Sequence, residues 1–198
     1  MRLPGQNGPS RAEAVLAGEG TEMKLSAGLL VYRQVQGGVE VLLVHPGGPY
    51  WARRDDGAWS LPKGEYGPEE DPLDVAIREF REELGSDPPA DRDPVSLGEL
   101  RQPSGKRVTA WALPGDLDVG AVRSNTFTIE WPPGSGVSRE FPEVDRAEWF
   151  DLETARRKLV PGQVGFIDRL SELIPGTGST LAPVPGGSRS KRRRKSDD

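Results

Sequence analysis

Residues 64–86 read GEYGPEEDPLDVAIREFREELGS. Asp71-Pro72 is a helix start. The aspartate accepts from the free N–H groups of the first turn, and proline is tolerated at the first helical position because an N–H there would be unpaired anyway. Gly85 is the matching stop. Between these limits Leu73, Ile77, Phe80 and Leu84 fall within about 60° of one another on a helical wheel, an apolar stripe suited to packing on a sheet. Glu79, Glu82 and Glu83 fall together on a separate edge. Like charges three or four residues apart destabilise a helix by roughly 0.2–0.5 kcal/mol per pair, so this edge opposes folding unless a cation sits among the carboxylates. Taken alone, EFREE is an ordinary solvated face, and its surroundings change that reading.

A helix with one apolar stripe needs a sheet, and the flanking sequence supplies one. AGLLVYR and VEVLLVH are Val- and Leu-rich runs joined by Gln36-Gly37-Gly38, which predicts a hairpin. Pro46 to Pro62 is a long glycine-containing loop carrying Tyr50, Trp51 and Trp59, and loops of that length are usually functional or mobile. Beyond the helix, strands are expected at Val95 to Arg101, Arg107 to Leu113, Asn125 to Trp131 and Glu148 to Phe150. Asp151 or Thr154 caps a short helix through Leu159, and Val164, Ile167, Leu170 and Ile174 mark another amphipathic helix. This order predicts the α/β class, with a mixed sheet between helices.

Composition narrows the chemistry. The chain has 198 residues with no cysteine and one histidine, His45, so disulfides, thiolate metal sites and a cysteine nucleophile are excluded. Any metal must be held by oxygen or by His45. Magnesium fits such a donor set, because it prefers carboxylate and water oxygens and keeps positions open for phosphate. Glycine and proline number 25 and 19, which favours short elements and turns over a helical bundle. The net charge is −5, yet Pro183 to Asp198 holds six basic residues against two acidic ones, a net +4 that leaves −9 elsewhere. An acidic body repels phosphate unless a cation intervenes. Residues 1–22 are expected to be a flexible extension, 23–174 the folded domain, and 175–198 a disordered tail ending in KRRRK. No apolar run is long enough to span a bilayer, and the N-terminus lacks the apolar stretch of a secretory signal, so a cytoplasmic location is expected by default.

From Gly64, the intervals to Glu70, Arg78, Glu79, Glu82, Glu83 and Gly85 match the Nudix box, G-x5-E-x7-R-E-U-x-E-E-x-G-U, at all seven fixed positions. The chain therefore resembles the Nudix (MutT-like) hydrolases from about Met23 to Ile174. It departs at two U positions: Phe80 is aromatic rather than aliphatic, and Ser86 is polar. SLPKGEY before the box looks like the branch that includes diadenosine polyphosphate hydrolases. The resemblance implies a Nudix-type α/β/α sandwich. It also implies a hydrolase that cleaves a phosphoanhydride bond with Mg2+ (or Mn2+).

Carried over position by position, the resemblance makes Glu79, Glu82 and Glu83 metal ligands, with the Gly64 carbonyl a further one, and makes Arg78 and Glu70 the groups that orient them. An arginine fork can fix a carboxylate and keep it ionised. Glu82 or Glu83 is the first choice of base for the attacking water; Glu143 is the best choice outside the box, with Glu140 behind it. Lys63 stands where an ammonium can meet substrate phosphate. Tyr50 and Trp51 are able to stack on a base, and packing is the expected role of Trp59, Trp111, Trp131, Trp149 and His45.

The implied substrate is a small nucleotide, first a dinucleoside polyphosphate such as diadenosine tetraphosphate, cut to ATP and AMP. The alternatives are a nucleoside triphosphate, ADP-ribose or a nucleotide sugar, and, in another class, a non-catalytic domain that senses a nucleotide. The basic tail is a weak signal for nucleic acid contact.

Overall fold

β1 (Leu25–Val35) is the strand around which the others are laid. One of its edges is shared by β2 (Gly38–Pro46) and β3 (Lys63–Tyr66), both antiparallel to it. Its other edge pairs in parallel with β5 (Arg107–Pro114), and β4 (Val95–Arg101) lies antiparallel outside that. β8 (Val144–Asp151) closes the far side against β2, so the sheet is mixed, in the order β4-β5-β1-β2-β8 with β3 on β1. The structure is a computed structural model that describes residues 24–90 and 92–174. The expected N-terminal extension and basic C-terminal tail lie outside the described residues.

Successive strand residues point to opposite faces, and both faces of this sheet are covered. Ala27, Leu29 and Val31 of β1, with Leu42 and Val44 of β2, pack under α1 (Pro72–Leu84) through Val75, Ala76, Phe80 and Leu84. Leu30, Val41 and Leu43 face the other way. They meet Ala155 of α2 (Leu152–Lys158) and Phe166, Ile167 and Leu170 of α3 (Gly165–Leu173), together with Trp59 and Leu61. The α/β/α sandwich expected from the sequence is therefore present. Phe80 is fully buried at the centre of one layer. Phe80→Ala is expected to cost about 3–5 kcal/mol of stability, read from the shift of the urea midpoint at unchanged slope.

The helix signals hold in detail. The Asp71 carboxylate accepts from Leu73 N–H at 2.8 Å and Asp74 N–H at 3.2 Å, and Gly85 ends α1 in the left-handed conformation. Asp151 caps α2 through Thr154 N–H. The buried face of α1 is wider than the stripe read from the sequence: Val75 and Ala76 are buried, while Leu73 and Ile77 are only partly so. α1 rests on β3 as well as on β1, and β3 is a short strand for which the sequence analysis predicts no element.

Two further elements depart from expectation. β6 (Thr126–Glu130) does not join the main sheet; it pairs with β7 (Ser138–Pro142) as a separate two-stranded ribbon. Trp131, which follows β6, is consequently not a core residue: it sits half-exposed with its ring edge-on to Tyr50, centroids 5.2 Å apart. Trp59 is buried, and Trp111 and Trp149 pack partly buried against the α1 layer, as expected. His45 is fully buried, its Nδ1 2.6 Å from Asp145 Oδ1 and its Nε2 2.9 Å from the Arg54 carbonyl, so it clips the long loop to β8.

Candidate active site

The acidic edge of α1 is turned toward β3, and three features fix its side chains. Arg78 is the first. Its guanidinium donates to Glu70 Oε1 at 2.8 Å and to Glu79 Oε1 at 3.1 Å, and its Nε lies 3.9 Å from Glu82 Oε1. Glu70 also accepts from Gly67 N–H at 2.9 Å, so the loop before the helix is tied to the same fork. These bonds from Arg78 and Gly67 hold the Glu70 carboxyl below its ordinary range.

The second feature is Gly64. A Cβ built there would lie 1.8 Å from Cδ of Glu79, so the absence of a side chain is what lets this carboxylate rest on β3. Gly64→Ala would be relieved by swinging Glu79 aside, since a side-chain tip moves at little cost. Its expected result is a loss of turnover of about 100-fold, the cost of misplacing a reacting group by about 1 Å, with a melting temperature close to wild type.

The third feature is the Lys63 backbone, whose N–H donates to Glu83 Oε2 at 3.3 Å. Burial pushes the Glu83 carboxyl up to about 7, against the attraction of Lys63, and Glu79 and Glu143 push it the same way. Burial likewise lowers the Lys63 ammonium, opposed chiefly by Glu83, and Lys106 adds to the lowering.

Glu143 comes from a separate segment of the chain. It stands between β7 and β8, held by its own N–H to the Asn125 carbonyl at 2.8 Å and by Gly47 N–H to its carbonyl at 2.9 Å. Asn125 N–H in turn donates to the Glu82 carbonyl at 3.1 Å, so the two acidic segments are joined through backbone. The Glu143 carboxyl is raised by burial and by the charges of Glu79 and Glu82. Four carboxylates thus share one electrostatic neighbourhood. Glu140 is not among them; it pairs with Thr126 Oγ1.

Beside Glu143 opens a cleft of about 330 Å³ lined by Pro46, Gly47, Gly48, Tyr50, Trp51, Phe127, Ile129 and Glu143. Tyr50 is 62% exposed, and the Arg54 guanidinium lies 5.2 Å from the centre of the Trp51 ring.

An oxygen-only cluster whose mutual repulsion is partly unrelieved suits a hard divalent cation. Among the described residues no three Asp, Glu or His side chains converge tightly enough to enclose an ion by themselves.

The NUDIX domain family model matches residues 23–170. Among curated proteins, the RNA pyrophosphohydrolase of Rhodospirillum rubrum is 32% identical over 146 residues, covering 69% of this chain and 83% of the relative. Two solved structures share the fold. A C. elegans Ap4A hydrolase binary complex is 23% identical with a TM-score of 0.51, covering 75% of this chain and 96% of its own. The NUDIX domain of Shewanella oneidensis NrtR, complexed with ADP ribose, is 16% identical with a TM-score of 0.53, covering 83% and 99%. The sandwich, the acidic helix edge and these matches together place the chain in the Nudix family. It is a phosphoanhydride hydrolase of that family, whose enzymes generally use divalent metal ions. None of the described helices is long and apolar enough to cross a membrane.

Sequence reading missed the apolar face of the ribbon. Phe127 and Ile129 alternate with Thr126, Thr128 and Glu130 at the period of a half-buried strand, a signal that was available. It missed their partner surface because β7 carries charges and a single phenylalanine, and nothing in Ser138–Pro142 announces a strand.

Proposed function

We propose that this chain is a magnesium-dependent hydrolase of dinucleoside polyphosphates, cutting a substrate such as diadenosine tetraphosphate to ATP and AMP with residues 23–174 as the catalytic unit. The observation that supports it best is that Arg78, Gly64 and the Lys63 N–H fix Glu79, Glu82 and Glu83 along one edge of α1, to which the Glu143 segment is bonded through Asn125, beside an apolar cleft.

Glu79, Glu82 and Glu83, with the Gly64 carbonyl, would hold Mg2+ or Mn2+. A bound cation supplies neutralisation of the diphosphate charge and a more acidic water. The residues do the rest. Arg78 and Glu70 fix the carboxylates at the angles the bonds above describe, which is positioning rather than proton transfer. Lys63 meets a phosphate oxygen of the substrate. Glu82 or Glu83 takes the proton of the attacking water, with Glu143 as the alternative across the cleft. Attack on phosphorus proceeds in line, and the leaving nucleotide departs as a phosphate anion. Tyr50 and Trp51 offer faces on which a base can stack.

A second reading takes an RNA-linked pyrophosphate as substrate, because the curated relative at 32% identity is an RNA pyrophosphohydrolase. Nucleoside triphosphates, ADP-ribose and nucleotide sugars complete the panel. A purely sensing domain is disfavoured because every box glutamate is retained. Turnover of this panel in oxygen-18 water, with products identified by mass spectrometry, reports both the substrate and the phosphorus attacked. Preference for diadenosine tetraphosphate, with the label on one nucleotide product, is the expected result. Preferential cleavage of RNA would replace it with the second reading, and no metal-dependent turnover of any member would overturn the catalytic one.

A further inference from the structure

Glu143 stands among like charges, and something must hold it there. Glu79 and Glu82 repel its carboxylate, so the segment that carries it is pushed away from α1. The ladder of the main sheet does not supply the restraint. Between His45 and Pro46 the pairing of β2 with β8 slips, and Pro46, the partner of Val144, has no N–H to give.

The restraint comes from residues 123–125. On one side they sit on the last turn of α1, whose carbonyls have no partner inside the helix. Arg123 N–H donates to the Leu84 carbonyl at 3.2 Å and Asn125 N–H to the Glu82 carbonyl at 3.1 Å. Gly85 permits this approach, since a Cβ there would lie 2.3 Å from the Arg123 carbonyl oxygen. On the other side the same residues take two amides in succession. Glu143 N–H donates to the Asn125 carbonyl at 2.8 Å, and Val144 N–H donates to the Ser124 hydroxyl at 2.9 Å. That hydroxyl in turn donates to the Asn125 carbonyl at 2.6 Å. The carbonyl oxygen accepts twice, as its two lone pairs allow, and the three bonds form one connected set. The two amides flank the Glu143 Cα, so holding both fixes the direction in which its side chain leaves the backbone.

We propose that Ser124 is a positioning residue of the hydrolase: its hydroxyl, bonded to Val144 N–H and to the Asn125 carbonyl, aims Glu143 at the acidic edge of α1 and sets the rate without touching substrate. The inference rests on the reading that Glu143 takes part in the chemistry. Arg123 and Asn125 contribute to this joint through their backbone, so the half-buried Ser124 hydroxyl is the group that a substitution can remove. A serine that only closed a turn would add stability and leave Glu143 and the rate alone.

The test uses the full chain and the variants Ser124→Ala, Ser124→Thr, Ser124→Val and Glu143→Gln, with Ser124→Ala and Glu143→Gln also combined. Folding is checked by circular dichroism. Turnover is measured with magnesium and diadenosine tetraphosphate, and amide exchange at Glu143 and Val144 is followed by NMR without metal or substrate. Ser124→Ala is expected to lower kcat by about tenfold at unchanged KM, the rate equivalent of one hydrogen bond, and to speed exchange at both amides. Ser124→Thr, which keeps the hydroxyl, should stay near wild type, while Ser124→Val, of the same shape without it, should follow Ser124→Ala. Glu143→Gln should lower kcat at least as far, and adding Ser124→Ala to it should cost nothing more, because both act through one carboxylate. Additive losses in the combined variant, a Glu143→Gln variant with full turnover, a loss carried by KM, or unaltered exchange would overturn the proposal and leave the hydrolase reading in place. Absence of metal-dependent turnover in wild type would overturn the hydrolase reading itself, and with it the role given to Ser124. If Ser124→Ala fails to fold, Ser124→Thr against Ser124→Val decides.

Discussion

Glu83→Gln is expected to lower kcat by about 10²- to 10⁴-fold while leaving the protein as stable as wild type or slightly more so. The two halves of that result have one cause. Glu83 is a carboxylate in a confined place, with Glu79 and Glu143 pressing on it and Lys63 only partly compensating. An amide has the same shape, and its oxygen can keep the bond from Lys63 N–H. It removes a desolvated charge, so the fold gains whatever that charge was costing. What it cannot do is hold a cation or accept a proton. Glu82→Gln should show the same loss of rate, with a smaller effect on stability because Glu82 is 45% exposed. Melting curves with and without millimolar magnesium supply an independent reading: wild type should gain stability from the ion, and both variants should gain less. Undiminished turnover in both variants would remove these glutamates from the chemistry.

Chelation is expected to have an effect of similar size. Stripping divalent ions with EDTA should reduce turnover by about 10²- to 10⁴-fold, the rate equivalent of the several kcal/mol that a cation contributes at a diphosphate. Magnesium or manganese should restore it, and calcium, which is larger and less demanding in geometry, should restore it poorly. Far-ultraviolet circular dichroism should not change on chelation, because α1 is held by Asp71, Gly85 and its buried face rather than by an ion. Retention of full activity in excess EDTA would rule out the cation.

How much of this was legible beforehand depends on how local each feature is. The ends of α1 depend on Asp71, Pro72 and Gly85 alone, and such signals can be read from neighbours in the chain. The acidic edge follows from helical spacing. Glu143 was reachable as a candidate base only through the family resemblance, because its neighbourhood with Glu79 and Glu82 is built by the bonds Asn125–Glu82 and Glu143–Asn125, which no periodicity displays. β3 escaped notice since four residues, two of them charged, form a strand only when the edge of β1 is there to receive them. Trp131 was misplaced for a related reason. A tryptophan after an alternating run reads as core when the run is assumed to join the main sheet, and here the run pairs with its own neighbour instead.

The sheet divides the interior into two apolar compartments that share no side chain. Every acid of the proposed chemistry lies on α1, in the loop before it or between β7 and β8, and none on α2 or α3. Directed evolution for heat tolerance therefore has the α2 and α3 side of the sheet to repack, provided the contacts of Trp51 with it are kept. Beneficial substitutions should accumulate around Ala155, Phe166 and Leu170 without the loss of turnover that usually accompanies hardening an enzyme near its reactive groups.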